Sequence, residues 1–229
     1  MYWQEDRTNK VYVVPDDILD VAFGIACPCL PVDHAHALSQ ALLQALPWLQ
    51  QEQHAGIHLI HGAESGHGWQ RPEAPDTELL HLSRRTKMTL RLPKQRIADA
   101  KKMTGTTLEI DGYPLQVGSA TVRPLSPLST LFSRYVIARA DENEEQFIRR
   151  VAIELEQLGI SVRKLLCGKS HVIALPNEQI LTHRLMVADL KAEQSVRLQQ
   201  HGLGPGRKIG CGLFIPHKGV EAVNNDDDT

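Results

Sequence analysis

The residues best suited to chemistry gather near one end of the chain. Between His201 and Phe214 stand Gly202, Gly204, Gly206, Gly210 and Gly212, with Arg207 and Lys208 among them. Glycine lacks a Cβ, so such a loop can adopt positive φ and approach a partner closely. Displayed backbone N–H groups beside two cations suit a chain of phosphates. Two nucleotide loops do not fit. A dinucleotide fingerprint follows a strand and opens a helix. Here residues 191–200 read as a helix before the loop, and residues 211–215 read as a short apolar strand after it. A Walker loop needs Gly-x-x-x-x-Gly-Lys-Ser/Thr. Gly168-Lys169-Ser170 occurs, but Arg163 stands where the first glycine belongs.

Two further stretches carry candidate chemistry. Residues 79–92 alternate as a long strand. Leu80, Leu82, Met88, Leu90 and Leu92 share one face; His81, Ser83, Arg85, Lys87 and Arg91 share the other. A face with three cations and a hydroxyl fits a phosphate backbone; an ordinary solvated face is the alternative. Arg84 and Thr86 interrupt the apolar side, which suggests a bulge and an inward Arg84. The second stretch begins at Asp33, an expected helix N-cap. His34 follows it, on the face of Leu38 and Leu42, whereas His36 lies with Gln40 and Gln44 toward water. An imidazole at a helix N-terminus is biased toward its neutral, proton-accepting form. A structural histidine at a helix end is the competing reading.

The elements that must position these residues follow from periodicity. Residues 18–25 read as a strand, 33–46 as a helix ended by Pro47, and 57–60 as a second strand. Residues 61–76 read as a surface loop, 79–92 as a strand, and 93–103 as a helix. Residues 107–109 and 115–117 flank Asp111-Gly112, a hairpin signal, and 120–125 give one more strand. The order repeats: strand 131–139, helix 144–158, strands 162–166 and 171–175, strand 180–188, helix 191–200, glycine loop, last strand. This is the α+β pattern of two tandem ferredoxin-like domains with antiparallel sheets. The expected division is a lead-in at 1–17, a first domain at 18–125 and a second at 129–217 that carries the loop 202–212. An acidic tail at 218–229 is expected to be disordered.

Bulk composition sets looser bounds. The chain has 229 residues, 42% hydrophobic and 23% charged, with a net charge of −2. That describes an ordinary globular protein. No apolar run reaches the ~18 residues of a membrane span, and the first residues lack a secretory pattern. Cys27, Cys29, Cys167 and Cys211 do not make a zinc ribbon. They read as reduced thiols of a cytoplasmic protein, and no metal or cofactor is expected.

The glycine spacing resembles one family. Gly202-Leu203-Gly204, five residues, then Gly210-Cys211-Gly212 is similar to the glycine-rich loop of the repeat-associated RNA-binding superfamily of CRISPR proteins. Leu30-Pro-Val-Asp-His34, Leu82-Ser-Arg-Arg-Thr86 and Leu166-Cys-Gly168 add a similarity to the CRISPR RNA-processing endoribonucleases of the Myxococcus subtype. The resemblance spans residues 19–218. It implies a metal-independent nuclease that cuts CRISPR repeat RNA by 2′-hydroxyl attack, leaves a 2′,3′-cyclic phosphate and retains the guide RNA. It also implies other subunits of an effector complex as partners. It places the catalytic histidine at the head of the first helix, at His34, with Ser83 and Arg85 as helpers. RNA contacts are expected from Arg85, Lys87, Arg91, Arg207, Lys208 and the five glycines. The alternative is a non-catalytic RNA-binding subunit of the same complex.

Overall fold

The structure, a computed structural model, describes residues 12–62 and 79–217. Most of the expected lead-in, most of the 61–76 loop and the acidic tail lie outside the described residues.

The first half runs β1 (Ile18–Ala26), β2 (Cys29–Pro31), α1 (Ala35–Ala45), β3 (Gly56–His58), β4 (Leu79–His81), β5 (Lys87–Pro93), α2 (Ile97–Lys101), β6 (Thr107–Ile110) and β7 (Tyr113–Pro124). Its main sheet has the order β3-β5-β1-β7-β6. Setting aside the added hairpin strand β6, this is the antiparallel order of a ferredoxin-like sheet. Val21, Phe23, Met88, Leu90 and Ile57 point to one side, where they bury against Leu38 and Leu42 of α1. The two-residue alternation of the strands and the i, i+4 spacing on the helix produce that layer.

The second half runs β8 (Leu131–Ile137), α3 (Glu144–Gln157), β9 (Lys164–Leu175), β10 (Glu178–Ala188), α4 (Ala192–His201) and β11 (Ile215–Pro216). Its sheet order is β11-β8-β10-β9, with every pairing antiparallel. Asn143 caps α3: its side chain accepts from Gln146 N–H at 2.9 Å, and Gln146 answers on the Asn143 N–H at 2.9 Å. Such a reciprocal cap is worth about 1 kcal/mol. Phe147, Val151 and Leu155 then face Leu131, Val136, Leu185 and Val187.

Several elements differ from their sequence reading. Residues 79–92 are two strands, because the Ser83 and Thr86 side chains hold a turn between them. Ser83 N–H donates to the Thr86 hydroxyl at 3.2 Å, and Arg85 N–H donates to the Ser83 hydroxyl at 3.3 Å. Arg84 lies exposed on this turn rather than inward. β4 pairs instead with β2. The strands expected at 115–117 and 120–125 merge into the single strand β7, which ends at Pro124, and those expected at 162–166 and 171–175 merge into the single strand β9, which begins at Lys164. The helix expected from 93 is shorter, opening as a 3₁₀ turn at Lys94–Arg96. Asp33 does not cap α1. His34 occupies the N-cap, and the Asp33 carboxylate accepts Ala174 N–H of the second half at 3.0 Å.

Candidate active site at the seam between the sheets

Three of the sequence-picked cations prove to have different tasks. Arg91 is fully buried. Its Nε and Nη2 donate to the two carboxylate oxygens of Asp20 at 2.8 and 2.9 Å. Its Nη1 donates to the carbonyls of Gln199 and Phe214, each at 2.9 Å. The strand alternation was read correctly, but the polar face of β5 is covered at this point by the second half. Arg91 therefore ties the halves together and presents no surface to RNA. Burial alone would raise the Asp20 carboxyl; the Arg91 guanidinium more than offsets this and holds it well below the usual range.

Arg207 and Lys208 also turn inward. Arg207 Nη2 donates to the carbonyl of His54 at 2.9 Å. Lys208 Nζ donates to the carbonyls of Glu52 at 2.6 Å and Ala55 at 2.7 Å. Burial, aided by the Arg207 charge, lowers the Lys208 amine to about 8. These two side chains fasten the loop onto the segment before β3. The loop amides are engaged as well. Leu203 N–H donates to Gly212 O at 3.0 Å, and Gly212 N–H donates to Tyr135 O at 2.7 Å. Gly212 has φ +66°, and a Cβ there would stand 2.1 Å from Leu203 O. The glycines thus let the loop fold onto itself. Of the five loop glycines, only Gly204 is both exposed and open around its missing Cβ.

His34 is 2% exposed. Its Nδ1 lies 2.8 Å from Pro31 O, so that nitrogen carries the proton and donates. Its Nε2 accepts the Ile60 N–H at 3.1 Å. Both ring nitrogens are engaged in holding the entry to α1 and the segment after β3. This is the geometry of the competing reading, a structural histidine. Ser83 and Arg85 sit on their exposed turn, and Lys87 is exposed at the start of β5.

The pair that the sequence did not single out is His54 and His201. Both are exposed. Their rings meet edge to face with centroids 5.7 Å apart. His54 precedes β3, in the segment that Arg207 and Lys208 grip. His201 ends α4, directly before the glycine loop. His201 Nδ1 lies 3.0 Å from Arg197 O. A carbonyl only accepts, so Nδ1 carries a proton and Nε2 of the neutral ring is left as a base. Beside them Arg207 contributes a fixed cation whose Nη1 is buried without a hydrogen-bond partner among the described residues. His201 opened the glycine stretch in the sequence. For His54 no local pattern marked the position.

A cavity of about 330 Å³ lies along the same seam, lined by His58, His61, Arg123, Arg134, Tyr135 and the loop residues Gly210 and Leu213, among others. His61 stacks on Tyr135 at 6.1 Å. Burial first, and then Arg134 and the neighbouring histidines, holds the His61 imidazole well below its usual value, so it is neutral at pH 7. Burial likewise keeps His58 neutral; its 3.8 Å approach to Asp20 is too long for a hydrogen bond. Among the described residues no cluster of three or more His, Cys, Asp or Glu side chains could hold a metal ion. Among them, too, no helix is long and apolar enough to cross a membrane.

Comparison with known proteins places this architecture. The Cas6 Crispr family matches residues 19–219. The CRISPR-associated endonuclease Cas6 of Myxococcus xanthus (strain DK1622) is 31% identical over 198 residues, covering 86% of this chain and 81% of that protein. A solved CRISPR associated protein Cas6 has the same fold, with a TM-score of 0.62 at 10% identity over 88% of this chain and 100% of that one. A Cas6-related protein from Pyrococcus furiosus gives 0.60 at 13% identity, over 86% of this chain and 97% of its own. From the family match over almost the whole described sequence and the Myxococcus relative, the chain belongs to the Cas6 family of CRISPR proteins.

Proposed function

We propose that this chain is an endoribonuclease that processes CRISPR RNA by cutting precursor transcripts within their repeats. The observation that carries the reading is the exposed, touching pair His54 and His201, fixed beside the glycine-rich loop of a Cas6-family fold. The name of the Myxococcus relative, an endonuclease, supports the reaction class.

The chemistry needs a base, an acid and positive charge, and RNA supplies its own nucleophile. His201 Nε2 takes the proton of the 2′-hydroxyl. The 2′-oxygen attacks the adjacent phosphorus, and the bond from phosphorus to the 5′-oxygen breaks. His54, in its protonated form, gives a proton to that leaving oxygen. The products are a 2′,3′-cyclic phosphate and a 5′-hydroxyl. Arg207, a fixed cation beside the pair, offsets the charge that builds on the phosphorane. Arg85 and Lys87 contact the RNA backbone farther out. The guide product stays bound, ready for other effector subunits.

The test is incubation of end-labelled repeat RNA with the protein in excess chelator. Cleavage should persist, leave a cyclic phosphate and stop after about one equivalent of RNA. Replacing the 2′-hydroxyl just before the cut with hydrogen should abolish cleavage and leave binding intact. Cutting of that deoxy substrate at the same bond would overturn the mechanism. An intact RNA that nonetheless binds tightly would identify a non-catalytic RNA-binding subunit instead.

A further inference from the structure

Helices α3 and α4 cover one face of the second sheet, and the first half covers the other only in part, where Ala35 and Cys211 pack on Tyr135 and Ile173. Leu131, Val187 and Leu165 lie side by side on β8, β10 and β9 and point into the core under α3 and α4. Their strand neighbours must point the other way. Those neighbours form a row of apolar side chains across all four strands. Ile215 pairs with Phe132, Phe132 with Met186, and Met186 with Leu166. At a strand spacing of about 4.8 Å the row is about 14 Å long. Leu166, at its outer end, is 62% exposed. Phe132 and Met186 are half-buried.

Cations lie next to this row. The Arg134 guanidinium sits 5.1 Å from the centre of the Phe132 ring. Arg184 occupies the register shift between His183 and Leu185, and its Nε is buried with no hydrogen-bond partner among the described residues. No carboxylate lies within ion-pair distance of Arg184 among those residues. An apolar, partly aromatic row flanked by guanidinium groups has the chemistry of a platform for unstacked bases, with phosphates alongside. A protein strand or helix would call for carboxylates or a wider apolar patch. The row also reaches the cavity at the seam. Arg134 and Ile215 line the seam cavity whose wall includes Gly210 and Leu213 of the glycine loop.

We infer that the open face of the second sheet binds single-stranded RNA, with bases lying on Phe132, Met186 and Leu166 and phosphates against Arg134 and Arg184. The occupant is the unpaired stretch of the substrate that adjoins the cut, so the inference rests on the endoribonuclease reading. The row has room for two or three bases, as other sheet platforms do. The face positions the strand and favours substrates with an unpaired flank over a bare hairpin.

The experiment measures anisotropy of a labelled single-stranded RNA of ten nucleotides and, separately, of a hairpin without flanks. Both are titrated with wild type, Phe132→Ala, Leu166→Asp, Arg184→Ala and His201→Ala. Loss of one stacked base weakens binding roughly 5- to 100-fold. Phe132→Ala and Leu166→Asp should each show a loss of that size for the single strand and almost none for the hairpin. Arg184→Ala should weaken the single strand and flatten its salt dependence. Because Leu166 is mostly exposed, Leu166→Asp keeps its fold even if Phe132→Ala does not. Unchanged single-strand affinity in folded Leu166→Asp would overturn the inference, as would an equal loss for hairpin and single strand. His201→Ala should bind both RNAs like wild type. Normal single-strand loss in the platform variants, in a protein that never cleaves repeat RNA, would sink the nuclease reading and leave the platform standing.

Discussion

His34 and the His54–His201 pair are three imidazoles of one small region with opposite relations to solvent. His34 is sealed, donating from Nδ1 to Pro31 O and accepting Ile60 N–H on Nε2. His54 and His201 are open and face each other across the seam. A buried imidazole with both nitrogens engaged resists the proton transfers that catalysis needs, since each would break a hydrogen bond in a place water cannot reach. An exposed imidazole with one nitrogen fixed has its other nitrogen ready. The state of the second nitrogen is what separates the two candidate sites, and the proposed role of His54 and His201 rests on it.

The largest expected effect breaks or confirms that contrast directly. His201→Ala and His54→Ala should each slow cleavage of repeat RNA by about 10²- to 10⁴-fold, with binding retained, in single-turnover assays. His34→Ala, where folded, should keep its rate. A rate loss in His34→Ala as large as in His201→Ala, at unchanged thermal stability, would reverse the assignment. The next effect is on stability. His34→Ala leaves the buried Ile60 N–H without its acceptor, so unfolding in denaturant should show a loss of about 1–3 kcal/mol. His54→Ala and His201→Ala, both at exposed positions, should stay near wild type in the same measurement. The smallest effect concerns the grip that holds His54 in place. The folded protein lowers the Lys208 amine to about 8, against 10.5 in a free side chain. Between those values the unfolded chain binds more protons than the folded one, so this residue makes stability rise with pH. Lys208→Met should remove that rise between pH 8 and 10.5 in denaturant titrations; an unaltered pH dependence would mean that the amine is not desolvated as the geometry requires.

What the sequence revealed, and what it hid, divides along the reach of each signal. Periodicity of two or 3.6 is local, so β1, α1, α3 and α4 were legible from residues that touch within the element. The glycine spacing was legible as a family mark because the loop folds on itself, with Gly212 pressed against Leu203. Arg91 was placed on the right face of its strand and given the wrong neighbour, because the cover comes from Gln199 and Phe214. Arg207 and Lys208 were read as free cations for the same reason: their acceptors are carbonyls of residues 52–55. The break in residues 79–92 depended on two hydroxyls closing a turn, a signal weaker than the alternation around it. His54 had no local signature, because its partner arrives only when the halves dock.

Arg91 also sets an order of events during synthesis. Its guanidinium belongs to a strand made early, yet two of its four acceptor contacts come from residues 199 and 214, which are made more than a hundred residues later. Until then the first sheet can form, but it carries a charged group whose shelter is missing. At that stage Arg91 keeps its pair with Asp20 but stands in water rather than under the second half. Synthesis of residues 199–214 and closure of the seam are therefore coupled.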